Sequence, residues 1–557
     1  MSTLRQPEHG NETMSTRNRK MNRRIFLGSA ASAIATQSIT HCGTTTHGNF
    51  DRTKHLVIGQ IEASETGNRV LDQGGNAVDA VVAAALVAGV VALPSTGIGG
   101  YGGSLVVGGG PNGKVSAIDF NTAAPAAMRE DTFQADERGY VAGDVNKHGW
   151  QSVGVPGVLA GLQKALDLFG TRSFAECVHP AIRLASDGFV VSKGLAASFK
   201  TAEPRFRNDL GSTKLFLSQD KPLREGSMFR NPELAKMLES LAIAGNVAPF
   251  YQGEIAERIA SQSRANGGLL TAQDFAEYQA RVVEPISISW NGYSIHTPPA
   301  TSGGITVLQV LSILRRLGWP HDVNSPDIAM IEAARIAWFD RLAFLGDPLF
   351  GNTTVDRFLS EQATSNAADR IRDAIQRGKP LTLASDGRAA GGTIHLNAMD
   401  RTGLTAAITF THGDGFGAQV TADGIGLVLG HGLSRFDPRP GRPNSPGPSK
   451  RPLHNMCPTL VTQADRVVCA LGATGGRRIV SAVGHVLSRM IGQGESLQEA
   501  AQQPRFHTEG ELALTLEPKY ANRQRLESFG YQITQNAVAS LSGIERLPTG
   551  DVIGAKR

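Results

Sequence analysis

A threonine hydroxyl is a weak nucleophile until a base stands beside it. The run Gly391-Gly392-Thr393 supplies a route to one. A chain cut before Thr393 would expose a new α-amine whose reference pKa, about 7.7–8.0, leaves a usable free-base fraction at neutral pH. The cut itself requires the Thr393 oxygen to attack the preceding carbonyl, and two glycines let the backbone take up the strained geometry this needs. By residue type alone, a threonine here is usually an ordinary β-branched strand residue, so other residues must carry the reading. Gly475-Gly476 is the second candidate: amides at a glycine turn before a helix can bind a developing oxyanion. The same turn also serves as a plain helix entry. The 14 histidines are mostly isolated, and neither a GxSxG elbow nor an HExxH pair occurs.

These residues need elements to hold them. Alternation over 393–399 predicts a strand, Asp400–Gly403 a turn, and 404–412 a second strand. Further strands fit 459–463 and 467–471, with a helix near 478–492 after the glycine turn. Residues 64–75 read as a helix. Asn76 can cap the next one, Ala77 to Leu93, which is apolar nearly all round and too short, with Asp79 inside it, to be a membrane span. Gly97, Gly99 and Gly102 satisfy GxGxxG, but the motif follows a helix and opens a strand at 104–107, the reverse of a dinucleotide site. Residues 153–200 and 230–285 are mostly helical by period. A hairpin over 285–297 turns at Asn291-Gly292, a helix follows at 303–317, and 325–390 is helical and then loop-like. The alternation without a βαβ repeat predicts a layered α/β arrangement with antiparallel sheets.

The 557 residues exceed one average domain. A net charge of +5 is spread along the chain rather than gathered into a patch, apart from the first 24 positions, which argues against nucleic acid. Four cysteines, Cys42, Cys177, Cys457 and Cys469, include no CxxC. Zinc is therefore not expected, and a bridge between Cys457 and Cys469 is one open possibility. Near the start, Arg23-Arg24 precedes Ile25-Phe26-Leu27 and a short stretch of small residues. That order is expected of a twin-arginine export signal and leader over residues 1–42, with delivery to the periplasm or beyond. Cys42 is a poor lipid acceptor after Ile39-Thr40-His41, and no transmembrane segment is expected.

The stretches GGNAVDAVVAAALVAGVVALPSTGIGGYGG at 74–103, SVGVPGVLAGL at 152–162, LLTAQDFAEY at 269–278 and PPATSGGITVLQVLSIL at 298–314 resemble the γ-glutamyltranspeptidase family, from about residue 55 nearly to the end. The resemblance implies a four-layer αββα N-terminal-nucleophile sandwich. It also implies one precursor cut into a large subunit, 43–392, and a small subunit, 393–557, acting on small γ-glutamyl or related acyl amides such as glutathione without a cofactor. The family nucleophile falls on Thr393, with Ile394 in place of a second threonine, and the threonine that bonds its amine falls on Thr411. The oxyanion glycines fall on Gly475 and Gly476, and the KRPL element on residues 450–453. The glutamyl-binding residues differ. The arginine for the substrate carboxylate aligns with Asn121, and the two serines beside it with His454 and Asn455. On the ammonium side the family residues align with Gly413, Gly432 and Arg435. A fixed cation at 435 would repel an ammonium. Three readings stay open: ordinary γ-glutamyl specificity with Asp414 or Asp437 taking the ammonium, an acylase for a glutaryl-type group, and an inactive member that keeps only the fold.

Overall fold

The computed structural model describes residues 52–110, 113–351, 354–383 and 392–557. The expected leader, Cys42 and Gly391 lie outside the described residues. Twelve strands build the two main sheets: β1 (Leu56–Ile58), β2 (Gly102–Gly108), β3 (Ser116–Asp119), β4 (Arg281–Val283), β5 (Ile286–Trp290), β6 (Tyr293–Thr297), β7 (Ile394–Met399), β8 (Thr405–Thr411), β9 (Thr459–Gln463), β10 (Arg466–Thr474), β11 (Ser540–Arg546) and β12 (Val552–Lys556). One sheet runs β1-β7-β8-β2-β3-β4 and the other β12-β11-β10-β9-β6-β5. Every pairing in both is antiparallel.

The sheets face each other. Ile58, Val106, Met399 and Ala407 of the first meet Leu460, Val467, Ala470 and Ile544 of the second in a buried apolar layer. Against the outer face of the first sheet lie α1 (Ile61–Asp72), α2 (Ala77–Val91) and α3 (Val158–Phe169), with α4 (Phe174–Asp187) packed behind α2. Against the second lie α5 (Gly304–Leu317) and α8 (Arg478–Leu487), with α6 (Pro326–Phe344) and α7 (Glu361–Arg377) packed behind α5. This is the expected αββα sandwich.

Local chemistry explains why the layers form. Helix α2 buries every residue but its last, as its all-round apolar sequence demands. Asn76 caps it in a reciprocal box with Asp79. The buried Asp79 carboxylate also accepts from Thr171 N, Thr171 Oγ1 and Arg172 N at 2.6–3.0 Å, so its polar oxygens are satisfied. Asn291 and Gly292 both take positive φ, 48° and 79°, at the tip of the β5–β6 hairpin. Among the described residues no helix is long and apolar enough to cross a membrane.

Two expectations change. Arg281–Val283, inside a stretch read as helical, is the edge strand β4. Cys457 and Cys469 are both buried free thiols. Cys469 stands opposite Val461, so Cys457 lies four residues further along, roughly 13 Å at ~3.3 Å per residue. A disulfide requires Cα atoms within about 7 Å.

Candidate active site

The first-sheet register brings the threonines together. Ile394 pairs with Phe410 and His395 with Thr409, so the next step of the ladder sets Thr393 opposite Thr411. Both are almost fully buried, at 3% and 1% exposure. The Thr393 hydroxyl donates to the Gly392 carbonyl oxygen at 2.5 Å. The Thr411 hydroxyl donates to the same oxygen at 2.5 Å and accepts from Gly413 N at 2.7 Å. Gly392 N is held in turn by the Gly413 carbonyl. The bond before Thr393 therefore lies pinned, its carbonyl polarised by two donors.

Across a narrow cleft stand Tyr101, Arg435, Asn455, Met456, Gly476 and Ile479. Gly475 and Gly476 join the end of β10 to α8 with φ of 145° and 62°, a region that favours glycine. Gly476 thus reaches the cleft at the mouth of a helix N-terminus, where free amides point outward.

Arg435 forms the opposite wall. It pairs with Asp414 at 3.6 Å and reaches His431 Nε2 at 3.4 Å. The Asp414 amide donates to that same nitrogen at 2.5 Å. Burial, reinforced by the Arg435 guanidinium, holds His431 well below its usual pKa, which keeps Nε2 an acceptor. Gly413 makes room for this ring: a Cβ there would lie 1.9 Å from His431 Nε2. Gly432 packs against Thr122 and Tyr101 with a Cβ clearance of only 2.5 Å. Asp437 is taken up by Arg439 at 2.6 Å, which leaves Asp414 as the carboxylate beside Arg435.

Asn121 and His454 stand apart from the cleft lining. The Asn121 amide donates to Thr301 Oγ1 at 3.1 Å and to the Pro452 carbonyl at 2.6 Å. His454 is buried, which lowers its pKa to about 3, and its carbonyl accepts from Arg341 at 2.7 Å. Asn455, next along, reaches the cleft, and its side-chain oxygen accepts from the same guanidinium at 3.5 Å. In the KRPL element, Arg451 pairs with Asp119 at 2.8 Å. Lys450 donates to the Pro443 and Ser445 carbonyls, tying down the 437–450 loop. His395 points between the sheets, on Thr409 and Asn397. Among the described residues no cluster of three or more His, Cys, Asp or Glu is placed to hold a metal.

Sequence reasoning did not reach Tyr101, Met456, Ile479 or His431, each an unremarkable residue type brought in by a loop or a helix start.

Two facing antiparallel sheets between helical layers are the sandwich of the N-terminal-nucleophile hydrolases, the class of enzyme to which this chain belongs. The family described as gamma-glutamyltranspeptidase matches residues 63–556. The chain is 33% identical over 529 residues to the glutathione hydrolase proenzyme of Escherichia coli (strain K12), with 90% of each covered. It is 32% identical over 517 residues to the acylase ACY 1 proenzyme of Pseudomonas sp. (strain SE83), covering 90% of this chain and 91% of that one. The crystal structure of cephalosporin acylase from Bacillus halodurans superposes with a TM-score of 0.83 at 25% identity, over 92% of this chain and 96% of that one. The chain belongs to the γ-glutamyltranspeptidase family.

Proposed function

We propose that the chain is an exported precursor that cuts itself between Gly392 and Thr393 and then hydrolyses γ-glutamyl or related acyl amides, glutathione among them, with Thr393 as nucleophile. The observation that carries this is the pair of threonine hydroxyls on the Gly392 carbonyl. In the cut, Thr393 Oγ1 adds to the Gly392 carbonyl carbon while the Thr411 hydroxyl stabilises the oxygen. The C–N bond breaks, the α-amine takes a proton, and water hydrolyses the resulting ester. The products are a large subunit ending in the Gly392 carboxylate and a small subunit starting at Thr393. The freed amine then accepts the hydroxyl proton as Oγ1 attacks a substrate amide. Gly475 and Gly476 amides face the oxyanion, and the leaving amine departs with the proton. Water resolves the acyl-enzyme, and the chemistry calls for no cofactor. The relatives support the processing step, since both are proenzymes by name.

A second reading concerns the acyl group. Arg435 on the cleft wall favours an acyl chain that ends in a carboxylate, which would make the chain a glutaryl-type acylase. Asp414 beside it favours the ammonium of a glutamyl group. Turnover of γ-glutamyl and glutaryl anilides by the same preparation separates the two: equal or better use of the γ-glutamyl compound removes the acylase reading. For the mechanism, the masses of the denatured fragments of the chain made without residues 1–42 decide. Two pieces meeting at Gly392/Thr393, and an intact, inactive chain for Thr393→Ala, are expected. An uncut wild-type chain would overturn it.

A further inference from the structure

An oxyanion site stabilises charge only if its amides are already aimed when charge develops, and a two-glycine turn is the most permissive backbone available for the task. The turn at Gly475-Gly476 therefore needs an outside support. Its next residue, Arg477, provides one end of a closed ring of side chains. The Arg477 guanidinium pairs with Glu509 at 2.5 Å, and the other Glu509 oxygen lies 3.2 Å from His507 Nε2. His507 Nδ1 lies 2.9 Å from Ser481 Oγ. Ser481 is in α8, four residues after Arg477, so the ring starts and ends on the first turns of the helix that the glycines open. All four residues lie in the segment after Thr393.

The ring is itself backed by the segment before Thr393. Arg477 lies over the Trp338 ring at 5.8 Å, and His507 meets the same ring edge-on at 6.0 Å. Arg335, one turn before Trp338 in α6, donates to the Gly510 and Glu511 carbonyls just beyond Glu509. Its charge is balanced by Glu332 at 2.8 Å. The partners also settle the tautomer: Glu509 accepts from Nε2–H, so Nδ1 accepts from the Ser481 hydroxyl.

We propose that Glu509, through Arg477 and with His507 and Ser481 behind it, is a positioning residue that holds the Gly475–Gly476 turn in its charge-stabilising geometry. The inference rests on the oxyanion role of those glycines proposed above. It separates two events that share a nucleophile. Self-cleavage polarises the Gly392 carbonyl through Thr411, whereas amide turnover draws on the glycine turn.

The test uses the full precursor without residues 1–42 and the variants Glu509→Ala, Glu509→Gln and Ser481→Ala, with Arg435→Gln as the contrast. Fragment masses report self-cleavage. Steady-state kinetics on γ-glutamyl and glutaryl anilides report kcat and KM separately. Glu509→Ala is expected to cut itself at the wild-type rate, then to lose about tenfold in kcat on both anilides with KM within about twofold, as for an interaction used only in the transition state. Glu509→Gln, which keeps one hydrogen bond without charge, should lose less, and Ser481→Ala less again. Unchanged kcat in the cut Glu509 variants overturns the proposal. So does a loss confined to KM or to one acyl group, the pattern expected instead of Arg435→Gln. Should Glu509→Ala not accumulate as folded protein, Glu509→Gln alone decides by the same kcat criterion. Failure of the nucleophile assignment would show separately, as cleavage persisting in Thr393→Ala.

Discussion

At the scale of single residues, two donors on one carbonyl make a quantitative claim. The Gly392 oxygen accepts from Thr393 and Thr411, each at 2.5 Å. Only the Thr411 hydroxyl remains a donor once the Thr393 oxygen has become the attacking atom. Removing one donor from an oxyanion typically costs on the order of 10²–10³ in rate. Thr411→Val should therefore slow self-cleavage about a hundredfold, while Thr411→Ser, which keeps the hydroxyl, should slow it by less than about tenfold. Following the intact band by electrophoresis after synthesis measures both. A Thr411→Val chain that matures as fast as wild type would leave Thr411 a spectator. Arg435 makes a different claim because it acts on the acyl group and not on the reacting bond. Arg435→Gln should lower kcat/KM for a glutaryl anilide by about tenfold and leave the γ-glutamyl anilide level or improved, since a repelling cation is gone. A parallel loss on both substrates would place Arg435 outside acyl recognition.

At the scale of elements, the cleft depends on loops whose shape is set elsewhere. The loop after β8 carries Gly413 and Asp414, and Phe416 anchors it. That ring is 1% exposed and lies 5.1–5.6 Å from Phe199, Phe206 and Phe216. It holds φ of 61°, unusual for a bulky side chain, so the aromatic cluster compensates a strained backbone. Phe416→Ala should cost about 3–5 kcal/mol of stability, lowering the melting temperature. Among molecules that still mature, it should raise KM more than it lowers kcat, because Asp414 and Arg435 lose their register while Thr393 keeps its strand. This division also explains what the sequence could tell. The β7 and β8 alternation, the Asn291-Gly292 hairpin and the Asn76 cap are local signals, and each predicts its element. Strand β4 is three residues long inside a helical-looking stretch, and β12 is the hairpin partner of β11, which itself forms on a long-range ladder with β10. No local pattern encodes that. Thr393, Gly475 and Gly476 stand out as candidates by residue type, whereas Thr411 and Arg435 are singled out only by the family resemblance. Tyr101 enters the cleft, and His431 backs Arg435 behind it, only through the packing of turns rich in glycine.

At the scale of the whole molecule, the sandwich buries histidine rings whose low pKa values come first from that burial. Burial lowers His395 to about 4, and His412 and His485 to about 3, with His454 likewise about 3. In the unfolded chain each returns to about 6.5. The sign follows from proton counts. Between those values the unfolded state binds more protons than the folded one, so stability rises with pH across the window. Each histidine's contribution is complete above about pH 6.5 and is lost as pH falls toward 4, at roughly 1 kcal/mol per pH unit per residue. With four such groups the loss accumulates within two pH units, enough to rival the whole stability of an ordinary domain. The Thr393→Ala chain is the suitable material, because an uncut polypeptide can refold as one piece. Its urea midpoint should hold steady from pH 8 to 7 and then drop steeply between pH 6 and 4.5. Replacing His412, both of whose ring nitrogens lack a hydrogen-bond partner, by Gln should make that drop shallower. A midpoint that stays level to pH 4.5 would mean that these rings gain protons in the folded state, and that water reaches a core the fold describes as closed.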